Sequence, residues 1–210
     1  MNERSLLDPP VNPTPRSNDE AILQAALKWF SELGFHGSSM RMIAEETGTS
    51  LSNLYNYYRS KSDILVAVLL RANESQHQQV AASVAAAENT PTARLHAAVS
   101  SYVEFILSHP TEALVALSEL RYLKEKDRDK VVRGRDATQS LFEDLVRDGV
   151  QSGDFSTPYP EGAVRSILLM CSGVSIWYRP DGSLSPEEIT DQHARYALAL
   201  LEAQQLEPQS

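Results

Sequence analysis

The sequence predicts an all-α fold, with a small N-terminal helical domain followed by a larger helical one. Three observations carry this. Apolar residues recur at helical rather than alternating spacing from about residue 22 to residue 201. The breaks between these runs hold glycine, proline or a capping residue, as in Gly34, Gly48, Pro91, His109-Pro110, Gly153 and Ser185-Pro186. No stretch reads as a pair of strands, and no internal repeat is present.

Residues 1–16 contain Pro9, Pro10, Pro13 and Pro15 with few large apolar groups, and are expected to form a disordered or extended arm. Arg4 and Arg16 could bring such an arm to a phosphate; a solvated tail is the other reading. The first helix is expected from Ser17 or Asn18, with Asp19 and Glu20 at the positive end of its dipole. Ile22, Ala26, Phe30 and Leu33 lie on its packing face, and Gly34 ends it.

A second helix is expected from Ser39 to Glu46, with Ser39 as N-cap and Met40, Ile43 and Ala44 as its apolar stripe. Gly48 follows, where a left-handed backbone costs little only for glycine. A third helix starts near Ser50 and runs to Tyr58, with Leu54 and Tyr58 on one face. Ser52, Asn53 and Asn56 lie on the other, with Tyr55 and Tyr57 oblique to it. So short and polar a helix is marginal alone. Propped against its neighbour across a glycine turn, it is a helix-turn-helix, a motif whose second helix enters the DNA major groove. Phe30, Phe35, Ile43 and Leu54 are expected to form the core of this small domain.

The order Gly34-Phe35, Ser38-Ser39, Ile43-Ala44, Gly48, Leu54-Tyr55, Tyr57-Tyr58 and Lys61 resembles the DNA-binding domain of the TetR family of bacterial regulators. The resemblance covers roughly residues 17–70. Three positions depart from it: Tyr58 stands where Phe is more frequent, Thr49 where a small aliphatic is usual, and Leu51 where Lys or Arg is common. The last removes one charged contact, so an operator sequence does not carry over. The resemblance implies a domain of three helices over residues 17–65, with Arg41, Ser52, Tyr55 and Asn56 toward base edges. Ser39, Tyr57 and Lys61 would face phosphates, and Ser50 opens the reading helix.

Ser60 or Ser62 is expected to cap a longer helix carrying Ile64, Leu65, Val68 and Leu69 toward Ala87, a lever joining the two domains. Pro91 opens a helix with Leu95, Val99, Tyr102 and Ile106 on one face, and a short helix follows through Leu114, Leu117 and Leu120. The stretch from Arg121 to Arg135 has seven Lys/Arg against three Asp/Glu. It reads as a solvated, ion-paired face or as a docking patch for a phosphorylated ligand. Leu141, Leu145, Val146 and Val150 carry the next helix to Gly153-Asp154. A further helix from Glu161 to Tyr178 bears Ile167, Leu168, Val174 and Trp177. Ser185-Pro186-Glu187-Glu188 is a capping box with proline at the first helical position. The final helix bears Ile189, Tyr196, Leu200 and Leu201, leaving a polar tail over 207–210.

The family resemblance implies that residues 66–206 form a ligand-sensing and dimerising domain. Candidate ligand-binding residues are Tyr102, Phe105, Met170, Cys171 and Trp177, for each of which plain core is the leading alternative. Candidate dimer residues are Ala163, Ile167, Val174, Tyr196 and Leu200. A finer likeness, in Ile176-Trp177-Tyr178-Arg179-Pro180-Asp181-Gly182 and then Leu184-Ser185 and Glu187-Glu188-Ile189, resembles TetR regulators of fatty-acid or sterol breakdown. It implies an acyl-coenzyme A thioester as effector, with the Arg121–Arg135 cations suited to its phosphates.

The bulk properties bound these readings. The chain has 210 residues, 42% hydrophobic, enough for one or two real cores. A single Cys171 allows no internal disulfide, and no cofactor or metal is expected, since His36, His77, His96, His109 and His193 lack ligand spacing. A cytoplasmic protein that does not meet the membrane is expected: no signal peptide is evident, and the longest strictly apolar run, Ile64 to Leu70, is too short to span a bilayer. No enzyme signature is present. The net charge is −9, of which residues 1–70 carry −2 (six Lys/Arg, eight Asp/Glu). DNA binding must therefore rest on a few placed groups, with a shallow salt dependence for each protomer. The reading is a homodimeric regulator, expected to be a repressor, that binds a pseudo-palindromic operator and is released by a small molecule. The alternative is a helical protein–protein adaptor that keeps the helix-turn-helix as scaffold.

Overall fold

The computed structural model describes residues 15–203, and all of its regular structure is helical. The expected N-terminal arm, apart from Pro15 and Arg16, and the C-terminal tail lie outside the described residues. Helix α1 spans Pro15–Gly37 and breaks at Gly34, whose φ of 70° an L side chain rarely adopts. Leu33, expected on the packing face, is exposed instead, because the chain turns away there.

Helix α2 (Met40–Glu46) is capped by Ser39, whose Oγ accepts from the Met42 N–H at 3.2 Å. Helix α3 (Leu51–Tyr57) is capped by Ser50, accepting from the Asn53 N–H at 3.1 Å. The turn between them passes through Gly48 at φ 65°. Ser60 rather than Ser62 caps α4 (Lys61–Ala86), accepting from the Asp63 N–H. Helices α5 (Pro91–Ser108) and α6 (Pro110–Ser118) follow, each with proline in its first turn, and a 3₁₀ turn spans Leu120–Tyr122.

The charged stretch and the helix through Val150, read separately from sequence, belong together to α7 (Glu125–Ser152). Its buried stripe of Val131, Thr138, Phe142, Leu145, Val146 and Gly149 keeps helical spacing throughout. Helix α8 spans Pro160–Trp177 and α9 spans Pro186–Leu200. The capping box at α9 is fully formed: Ser185 Oγ accepts from the Glu188 N–H at 3.2 Å, and Glu188 Oε2 accepts from the Ser185 N–H at 2.8 Å.

Two cores result. The first joins Ile22, Ala26, Phe30, Phe35, Ile43, Leu54, Ile64, Leu65 and Leu69, and is closed from outside by Val115, Leu123 and Val131. The second gathers apolar residues of α4, α5, α7, α8 and α9 around Val99, Phe142, Ile167 and Cys171. Helix α4 serves both, with Ile64 to Leu69 in one and Val80 and Val84 in the other. At 26 residues it is ~39 Å long, one rod through both halves. Among the described residues no helix is long and apolar enough to cross a membrane.

Candidate nucleic-acid interface and ligand cavity

The outward surface of α3 is polar because the one residue it fully buries is Leu54. Ser52, Tyr55 and Asn56 are exposed, Tyr55 at 48%. Asn53 is held back by the turn that precedes its helix, its Nδ2 donating to Thr49 Oγ1 at 2.8 Å. Arg41 on α2 and Arg59 after α3 are exposed, and neither is held in an ion pair among the described residues. These two cations flank amides and phenols that can donate to or accept from base edges. Ser39 and Ser50 are committed as caps through an oxygen lone pair and keep their protons for donation. The Tyr57 hydroxyl accepts from Asn18 Nδ2 at 3.3 Å, tying α3 to α1.

Two further contacts orient this unit. Tyr58, at the end of α3, donates to Asp19 Oδ1 at 2.7 Å, and burial together with that carboxylate pushes the phenol pKa up. The extra hydroxyl where the family prefers Phe is therefore a tie between α3 and α1.

Lys61 departs from the expectation of a phosphate contact. Its ammonium turns inward, donating to the Phe35 carbonyl and to the Ser38 carbonyl at 2.6 Å, and it lies 4.4 Å from the centre of the Phe35 ring. The physical reason is the Gly34 break, which leaves the carbonyls of the α1–α2 connection without helical partners. Burial lowers the Lys61 pKa from its ordinary value. Lys61 acts here as a staple beneath the helix-turn-helix.

A cavity of about 280 Å³ opens between α4, α5, α6, α7 and α8. Ile106, Leu117, Leu168 and Leu169 give it apolar walls, with Asn73, Gln76, Glu112, Arg135, Thr138 and Ser172 as polar points. Of the five expected lining residues, Tyr102 and Phe105 are present. The Tyr102 hydroxyl meets Ser172 Oγ at 2.9 Å, and burial raises its pKa. The other three lie elsewhere. Cys171 is in the second core, Met170 packs against that core, and Trp177 is exposed, its ring parallel to that of His193 at 6.3 Å. A quarter turn of α8 separates Cys171 from the lining Ser172, and sequence spacing could not choose between them. In the sequence Arg135 is one cation of a charged run, with nothing that singles it out. In that run Lys124, Lys126, Arg128, Lys130 and Arg133 stay exposed, with Lys130 paired to Asp127 at 3.0 Å. A smaller hollow of about 210 Å³ adjoins α1, and Phe105 and Glu112 line both spaces.

The outer sides of α8 and α9 carry an exposed apolar band: Leu169 at 72%, Ile176 at 62%, Trp177, Tyr196 and Leu200. Gly173 lies on the same stripe with open space where a Cβ would stand. Ala163, Ile167 and Val174, expected at a dimer face, are buried in the second core instead. They and the exposed stripe are both helically spaced, and Leu169 and Ile176 are each two residues on from Ile167 and Val174. Two residues turn an α-helix by ~200°, so the pairs point in opposite directions. Among the described residues no group of His, Cys, Asp and Glu is arranged to hold a metal ion.

Comparison with known proteins bears on both halves. Residues 22–68 match the family model described as bacterial regulatory proteins, tetR family. Residues 88–201 match the model described as tetracyclin repressor-like, C-terminal domain. The HTH-type transcriptional repressor KstR2 of Mycolicibacterium smegmatis is 24% identical over 189 residues, covering 88% of this chain and 90% of that one. A tetR-family regulatory protein from Rhodococcus RHA1 has the same fold, with a TM-score of 0.83 at 24% identity over 90% of this chain and 98% of that one. So does AibR, solved in complex with isovaleryl coenzyme A and operator DNA. It gives a TM-score of 0.78 at 23% identity and covers 89% of this chain and 100% of that one. With both family models matched in order along one chain, this protein is a member of the TetR family of transcriptional regulators.

Proposed function

We propose that the protein is a homodimeric repressor that places two copies of α3 in successive major grooves of a pseudo-palindromic operator and lets go when an acyl-coenzyme A thioester enters the cavity. The observation that carries the DNA half is the outward set Ser52, Tyr55 and Asn56 on a helix otherwise fixed by Leu54, Tyr57 and Tyr58. Arg41, Ser52, Tyr55 and Asn56 are the base-edge candidates, and Arg59 joins Ser39 as a phosphate candidate in place of Lys61. Two-fold symmetry in the protein is mirrored in such a site. The effector class is supported by an apolar cavity with a few hydrogen-bonding points, and by AibR, which was solved with an acyl-coenzyme A. Ligand binding favours release only to the extent that the released form binds the ligand more tightly.

The test is to select bound fragments from random DNA, then challenge the complex with acyl-coenzyme A thioesters, free fatty acids and planar drugs. Release by thioesters is expected. Release by another class alone would replace the effector, and recovery of no common sequence would remove the operator. On the selected site, Asn56→Ala is expected to cost about 1–3 kcal/mol of discrimination against random DNA, the range for a bidentate amide–adenine contact. Equal discrimination in a competition gel shift would strike Asn56 from the base-reading set.

A further inference from the structure

The cavity and the helix-turn-helix meet through one short element. Helix α6 presents Glu112, Ala113, Ala116 and Leu117 to the cavity, while Val115 on its other side belongs to the first core. Directly after α6 comes Glu119, a carboxylate 6% exposed. Its Oε2 accepts from the Phe35 N–H at 2.7 Å and its Oε1 from Ser118 Oγ at 2.8 Å. Phe35 is the first residue beyond the Gly34 break, and its carbonyl is one of the two that hold Lys61. Tyr122, in the 3₁₀ turn, stacks on the Phe35 ring at 6.2 Å and meets His36 edge-on at 4.6 Å. The base of the reading domain is thus pinned by side chains from the end of α6.

The cavity has its own hold on that same end. Arg135 lines the cavity from α7, and its Nη2 donates to the Ala116 carbonyl at 2.8 Å. Ala116 lies in the last turn of α6, where carbonyls lack a partner within the helix. A guanidinium is a rigid, planar fork that suits carbonyl and anionic acceptors. Turning that fork to grip an acceptor inside the cavity takes Nη2 away from Ala116.

We propose that Arg135 is the sensing group of the cavity, exchanging the Ala116 carbonyl for an acceptor on the ligand, and that Glu119 passes the loosening of α6 to the Phe35 amide beneath the reading domain. The proposal rests on reading the cavity as an effector site, and it narrows the ligand to one with an acceptor beside an apolar body. A thioester carbonyl meets that description. The acceptor supplies differential affinity, because Arg135 can satisfy it fully only in the loosened form. Arg135 and Glu119 are positioning residues, acting on DNA through Phe35 rather than by contact.

The experiment is amide hydrogen exchange on the full chain, followed residue by residue. Arg135→Gln is expected to speed exchange at the Phe35 N–H by about fivefold or more, the loss of protection that goes with one loosened hydrogen bond. Exchange at Val99 in the second core should not change. Glu119→Gln should do the same, and the double variant should add little to either. Arg135→Lys, which keeps a charged donor, should restore part of the protection. An unchanged Phe35 amide overturns the proposal, as does a uniform rise across both cores, which would mark a structural role only.

Ligand enters as two probes, octanoyl-coenzyme A and its thioether analogue S-octyl-coenzyme A, which lacks the carbonyl. The thioester should speed Phe35 exchange in the native chain and leave Arg135→Gln unmoved. A thioether that acts equally well overturns the acceptor claim. Should neither probe act while the variants behave as stated, the effector named under Proposed function falls and the Arg135–Glu119 connection stands.

Discussion

Leu169→Glu combined with Ile176→Glu is expected to yield a folded monomer whose grip on operator DNA falls by a hundredfold or more. Both side chains stand on the outer stripe of α8, away from Ile167, Cys171 and Val174 in the core beneath. Two carboxylates there leave the core beneath untouched, although Leu169 also edges the cavity. In a paired molecule they would meet their symmetry mates, since a two-fold interface brings the same patch from each side together. Burying an unpaired carboxylate is costly enough to prevent that contact. Loss of pairing also removes the second reading helix, and bivalent attachment is worth about 10²–10⁴ in affinity. Light scattering gives the mass and a gel shift gives the affinity. A double variant that still migrates as a dimer would move the interface off this band.

The second large effect is expected at Lys61. Lys61→Met keeps the stem and deletes the ammonium, which leaves the Phe35 and Ser38 carbonyls without it and removes the cation from the Phe35 ring. The Phe35 carbonyl retains Ser38 Oγ at 3.0 Å. One carbonyl is left unpaired and the other half-satisfied, at about 1–3 kcal/mol for an unpaired buried acceptor. With the lost ring contact the loss is about 2–4 kcal/mol, or a fall in melting temperature on the order of 5–15 °C for a chain of this size. Calorimetry reads it directly. A variant with native melting behaviour and uniformly weaker DNA binding would return Lys61 to the phosphate contacts.

The local signals were readable in the sequence because each is a short-range physical requirement. Ser39, Ser50 and the Ser185–Glu188 box cap their helices through contacts three residues apart, and the chain order alone shows them. The exposed set Ser52, Tyr55 and Asn56 follows from where Leu54 must point. What was hidden depends on where two distant segments meet. Lys61 reads from sequence as a phosphate contact, and only the Gly34 break supplies the carbonyls 23 and 26 residues away that turn it inward. Arg135 was one charge among many, and Glu119 had no motif at all. Its partner is 84 residues earlier, and no periodicity relates the two. On α8, helical spacing is satisfied by two stripes at once, and it does not tell the inner Ile167 and Val174 from the outer Leu169 and Ile176.

The burial of Cys171 has a practical corollary. Its side chain is wholly enclosed, and burial pushes the thiol pKa up to about 12. Near pH 7 the enclosed group therefore stays a thiol and not the thiolate that alkylating reagents attack. As the sole sulfhydryl in the sequence, it serves as a built-in clock. The pace at which iodoacetamide consumes it times the spontaneous opening of the helical bundle around it, without any label being added.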